Sequence, residues 1–115
     1  MSNISCITYN DEDNKTAEFT IDSEATIRNE EEFYNLINPT LDTHNSFVIK
    51  LVGVKNIDLP FVQLLVSVEK TVKSLEKEIR FEIELASASN NIVKNAGIDL
   101  SKLFETVELK IANLS

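Results

Sequence analysis

The chain has 115 residues, 43% of them hydrophobic and 26% charged, with a formal net charge of −8. A chain this long buries roughly two-thirds of its unfolded surface, enough for one core, so a single domain over residues 1–115 is expected. No apolar run approaches the ~18–20 residues that cross a bilayer, Met1-Ser2-Asn3-Ile4 is not a signal peptide, and the lone cysteine, Cys6, has no internal partner. These features lead us to expect a cytoplasmic domain without membrane insertion.

The charge is unevenly spread. Residues 1–45 carry ten acids and two bases, whereas residues 46–115 balance at nine of each. With a pI near 4.6, the chain would repel a polyanion, which argues against nucleic acid and anionic membranes as partners. The acidic N-terminal part reads as a solvated face that a basic protein surface would suit.

Ile4-Ser5-Cys6-Ile7-Thr8-Tyr9 is β-rich, and Ala17-Glu18-Phe19-Thr20-Ile21 alternates with period two, so the two predict a hairpin across the polar turn at residues 10–15. That turn is oxygen-rich but lacks the glycine of a Ca²⁺ loop, and Asp22 stands where its bidentate Glu would be. Asn29 is placed to cap a helix beginning at Glu30-Glu31-Glu32, with Phe33, Leu36 and Ile37 as its apolar stripe and Asn38-Pro39 as its end. Residues 46–52 form a nearly continuous apolar run, the pattern of a strand covered on both faces.

Asp58 and Pro60 mark the start of a second helix reaching about Lys77, with Phe61, Leu64, Leu65, Val68, Val72 and Leu75 at helical spacing and Glu69–Lys73 as an i,i+4 pair. Phe81-Glu82-Ile83-Glu84-Leu85 alternates as a strand. Ser89 can cap a short helix to Asn95 that Gly97 closes, residues 100–104 form a helical turn, and Val107–Ile111 is a last strand. The order β-β-α-β-α-β-α-β predicts an α/β domain with a mixed, mostly parallel sheet and helices packed on it.

Reacting chemistry is hard to find. The two glycines, Gly53 and Gly97, sit in no phosphate-cradling pattern, and there is no nucleophile elbow. Glu82 and Glu84 share an exposed strand face rather than forming a catalytic pair. His44 lies in a polar loop and Cys6 in a strand, and one His with one Cys cannot build a zinc site or a Cys–His dyad. No catalytic residue, metal or cofactor is expected, and the chain does not read as an enzyme.

From Ala25 to Phe104 the chain resembles a STAS domain, the fold of bacterial anti-sigma-factor antagonists and of sulfate-transporter cytoplasmic tails. The resemblance rests on Ala25–Phe33, Phe47–Asp58, Phe61–Leu65 and Asn90–Asp99, in that order and spacing. It implies a STAS-like fold and a regulatory or adaptor role in signal transduction through protein binding. Regulatory members follow the central strand with Asp-Ser-Ser-Gly or Asp-Thr-Ala-Gly, where a hydroxyl at the helix N-terminus accepts phosphate. Here the run is Asp58-Leu59-Pro60-Phe61, so Leu59 and Pro60 occupy the hydroxyl positions and no phosphosite exists there. Ser67 and Thr71 are the remaining hydroxyl candidates, away from the positive helix end.

The implied function is a non-enzymatic interaction module that docks a regulatory kinase, a phosphatase, a transporter subunit or its own copy. The surface would comprise Asp58, Leu59, Pro60, Phe61 and Val62, with Phe61 either exposed in an apolar patch or turned into the core. Three alternatives remain: a phosphorylated switch of the anti-sigma-factor-antagonist type using another hydroxyl, a small-ligand or nucleotide sensor near Asp58, and a small subunit of a lipid-trafficking ABC transporter. A homodimer through the apolar helix end is also expected.

Overall fold

The computed structural model describes residues 3–11 and 13–112. The element order is β1 (Ile4–Asp11), β2 (Asn14–Ala25), a 3₁₀ turn (Ile27–Asn29), α1 (Glu30–Ile37), a 3₁₀ turn (Asn38–Thr40), β3 (Ser46–Ile57), α2 (Leu59–Ser74), β4 (Glu78–Ala86), α3 (Ser87–Asn95), α4 (Leu100–Leu103) and β5 (Val107–Ala112). The five strands form one sheet in chain order, β1 antiparallel to β2 and every later pair parallel. The expected α/β layout with a mixed, mostly parallel sheet is therefore present.

Right-handed crossovers that step the same way along a sheet put their helices on one face. Burial follows that rule. Ala17, Phe19 and Ile21 on β2, Phe47, Ile49 and Leu51 on β3, and Ile79, Phe81, Ile83 and Leu85 on β4 point into one core with Phe33, Phe61, Leu65 and Val72 from the helices. The alternate residues form a polar face braced by Lys50–Glu18 at 3.2 Å, Arg80–Glu82 at 3.4 Å and Lys110–Glu84 at 3.7 Å. β3 is thus covered on one face, not two. Its continuous apolar run arises because Val48, between Glu18 and Arg80 in the ladder, is buried on the polar face, whereas Val52 there is exposed.

Several local expectations shift. Thr26, not Asn29, opens the first helical segment: Thr26 Oγ1 accepts the Arg28 N–H at 3.3 Å, and Asn29 Oδ1 accepts the Thr26 N–H at 2.8 Å. Asn29 is buried because Nδ2 also donates to the Glu24 carbonyl at 2.6 Å, which leaves α1 without a side-chain cap. The second helix ends at Ser74, and Lys77 Nζ donates to the Leu41 carbonyl. Glu69 does not pair with Lys73. Its Oε2 accepts the Glu105 N–H at 3.0 Å, while Lys73 reaches Glu105 at 3.0 Å.

α3 begins at Ser87, and Ser89 donates its hydroxyl to the Lys55 carbonyl instead of capping. Gly97, at φ 84°, ends that helix as expected, with its N–H on the Lys94 carbonyl at 2.9 Å. β3 runs to Ile57 because a bulge at Gly53 (φ 56°) carries the chain past Val52 and returns Val54 and Ile57 to the core.

Candidate functional site

The β3–α2 junction is built around one carboxylate. Asp58 is extended (φ −129°, ψ 167°), and its Oδ1 accepts the Phe61 N–H at 3.0 Å, the N-cap bond that starts α2. Its Oδ2 accepts the Ile27 N–H at 2.9 Å, and its own N–H donates to the Ala25 carbonyl at 3.3 Å. Asp58 therefore ties the β2–α1 connection to the start of α2, and both carboxylate oxygens are engaged within the chain.

The sequence-predicted surface divides here. Phe61 and Val62 are buried, 0% and 2% exposed. Phe61 packs on Phe33 (ring centroids 5.7 Å apart), which meets Phe19 edge-on at 5.8 Å, so this aromatic row joins helix layer to sheet. Burial removes both residues from any docking surface. The reason is geometric: Phe61, Leu65, Val68 and Val72 lie on one helical stripe that faces the sheet. Leu59 stays 44% exposed, and Pro60, in the first turn, is half-buried.

Other apolar groups lie near the Asp58 junction. Ile27, held against Asp58 through its N–H, is 62% exposed. A shallow depression where α1 meets α2 is lined by Ile27, Glu30, Glu31, Tyr34 and Leu64, with Tyr34 half-exposed. The structure thus collects Ile27, Tyr34 and Leu64 in one depression with Glu30 and Glu31, and the Ile27–Asp58 bond ties it to the helix start that carries Leu59 and Pro60. Sequence reasoning missed Ile27 and Tyr34. Each is an apolar residue off the stripe that its own helical turn buries, and that is the signal by which they could have been found.

Ser67 and Thr71 are both exposed on α2, in the third and fourth turns from its start, beyond the reach of the N-terminal N–H groups. His44 is half-buried in its loop, with Nδ1 2.8 Å from Thr43 Oγ1. Burial pushes the Cys6 thiol upward from its ordinary value, which disfavours the thiolate. Glu84 accepts the Gly53 N–H at 3.0 Å besides pairing with Lys110, so it secures the β3 bulge. Among the described residues, no group of three or more His, Cys, Asp and Glu side chains is arranged to hold a metal ion, and no helix is long and apolar enough to cross a membrane.

No family model, curated protein or solved structure matches this chain.

Proposed function

We propose that the chain is a non-enzymatic, STAS-like interaction module acting in the cytoplasm, and that it docks a protein partner through the start of α2 and the adjoining α1. The partner is of the regulatory kinase, phosphatase or transporter-subunit kind. One observation carries this reading: the Asp58 carboxylate binds the backbone N–H groups of both Ile27 and Phe61, which brings the exposed Ile27 to the start of α2, where Leu59 is exposed as well. An apolar centre with a charged rim is the anatomy of a protein-binding patch, with Glu30 and Glu31 favouring a partner with basic residues around an apolar anchor.

The resemblance to STAS domains supports a partner at the same helix start. With Leu59 and Pro60 in the hydroxyl positions and Asp58 committed to its two N–H groups, docking is constitutive rather than gated by phosphate at that point.

Site-specific photocrosslinking in native cells tests it. A crosslinker at Leu59 should trap one protein in quantity, while the same group at Ile92, which is 62% exposed on α3, should not. Equal yields at the two positions, or none at Leu59, would refute the placement.

A further inference from the structure

The two edges of the sheet differ in kind. β5 is six residues long and presents Glu108 and Lys110, the usual means of blunting an edge. β1 is eight residues long, has no charged residue from Ile4 to Asn10 and no proline, and pairs with β2 in unbroken register from Ile4↔Ile21 to Asp11↔Asn14. None of the common devices against edge pairing is present along that strip. Its outward side chains include Ile7 and Tyr9, 57% and 46% exposed on the helix-free face.

The direction of the backbone groups follows from one hydrogen bond. The Asp22 N–H donates to the Asn3 carbonyl at 2.9 Å, and these residues lie opposite each other if the β1–β2 register is continued by one step. In an antiparallel ladder such hydrogen-bonded pairs alternate. Ser5, Ile7, Tyr9 and Asp11 therefore bond inward to β2, whereas the N–H and C=O groups of Cys6, Thr8 and Asn10 point outward. The complementary parity appears on β2, where the Lys15 carbonyl accepts the Asn45 N–H from the β3 side at 3.0 Å.

We propose that β1 pairs antiparallel with β1 of a second copy of this chain about a two-fold axis at Ile7, joining two five-stranded sheets into one. This inference stands apart from the docking reading at α2. In that register Cys6 faces Thr8 of the second copy, Ser5 faces Tyr9, and Ile7 faces its own counterpart, so the outward groups meet in hydrogen-bonding phase.

A second copy presents the same unguarded strip in complementary phase, and charge permits the contact. Each copy carries −8, so self-association is tolerated where the contact strip is neutral and the acids stay apart. Asp11, where the acidic turn begins, falls opposite Asn3 of the second copy. At ~3.4 Å per residue the two turns lie about 27 Å apart, well beyond a screening length of about 8 Å in physiological salt. Glu18, the cross-strand neighbour of Ile7, is held by Lys50 at 3.2 Å and so is not a free anchor for a basic extended peptide at the centre of the strip. A one-strand contact sits at the small end of specific interfaces, so the dimer should form and dissociate with concentration.

Sedimentation velocity of the full chain from about 5 to 500 µM tests the proposal, with far-UV circular dichroism to show that each variant is folded. The wild type should pass from monomer to dimer across that range, and more strongly at higher salt as the residual repulsion is screened. Thr8→Pro removes an outward N–H and leaves the β1–β2 ladder intact, and Ile7→Lys places two like charges face to face. Either should weaken association at least tenfold, while Leu59→Asp leaves it unchanged. Opposed residues of a non-hydrogen-bonded pair lie about 4.5 Å apart at Cα, within disulfide range. Ile7→Cys in a Cys6→Ser background should therefore form a disulfide-linked dimer under mild oxidation. A monomer at every concentration would overturn the inference. So would association that survives Thr8→Pro, that vanishes in Leu59→Asp, or that weakens with added salt.

Discussion

Asp58 joins two connections, and removing its carboxylate should cost more than an ordinary cap. In Asp58→Ala the Phe61 N–H loses its partner at 3.0 Å and the Ile27 N–H its partner at 2.9 Å. Losing a helix N-cap costs about 1 kcal/mol, and losing a second hydrogen bond to a charged group, at a site open to water, about 1 to 1.5 kcal/mol. The sum, about 2 to 2.5 kcal/mol, corresponds to a fall in Tm of roughly 8–10 °C for a chain of this size. Asp58→Asn separates the two roles. Its remaining carbonyl oxygen can still cap α2, but its amide nitrogen cannot accept from Ile27, so about half the loss is expected. Urea unfolding followed by far-UV circular dichroism reads both values, with the slope m unchanged if the native and unfolded states keep their compactness. A loss below about 0.5 kcal/mol in Asp58→Ala, or equal losses in the two variants, would refute the bridging role.

Three further outcomes follow from packing and local charge. Phe61→Ala empties a fully buried site packed at a tilt against Phe33 and should destabilise by about 3–5 kcal/mol in chemical denaturation. Gly53→Ala places a Cβ at φ 56° in the β3 bulge and should cost about 1–2 kcal/mol in the same assay, with the core on either side otherwise unchanged. At Asp99 the Ser101 hydroxyl, 2.6 Å away, holds the carboxyl below its ordinary value of 3.8, aided by the Ser101 N–H and by Lys102 and Lys94 and opposed by partial desolvation. A depressed folded-state value means that the stabilisation is present above the unfolded value and fades as pH falls through the folded one. Ser101→Ala should accordingly move the Asp99 midpoint, followed by carboxyl-carbon NMR, upward toward 3.8.

Much of this fold is legible in the sequence because period and punctuation agree. Phe81–Leu85 alternates and is a strand, Asp58 and Pro60 announce a helix that begins at Leu59, and Gly97 ends one. What stayed hidden depends on contacts across the chain. The Asn29 side chain is drawn to Glu24 and Thr26 rather than to a cap, and nothing local distinguishes those uses. The bulge at Gly53 is set by pairing with β4 and by Glu84, so the strand continues beyond the point where its apolar run stops.

At the candidate site, the apolar run Leu59–Val62 reads as one surface. The helical period divides it, sending Phe61 and Val62 inward and leaving Leu59 in water. Ile27 is brought to the start of α2 by its N–H bond to Asp58, 31 positions away, which no spacing rule anticipates. One consequence of the topology was also concealed. The apolar β3 run suggests two covered faces, yet same-direction crossovers place the helices on one, and the opposite face is a ladder of ion pairs.

The central claim, docking through the start of α2, is tested most directly by affinity capture from a lysate of the native cells with quantitative mass spectrometry, comparing wild type, Leu59→Asp, Ile27→Asp and Ile92→Asp. Leu59 and Ile27 are exposed, so their substitution leaves the core intact. One and the same protein should be retained by wild type and Ile92→Asp and depleted at least tenfold in both of the other variants. An identical catch from all four would contradict the assignment of this surface.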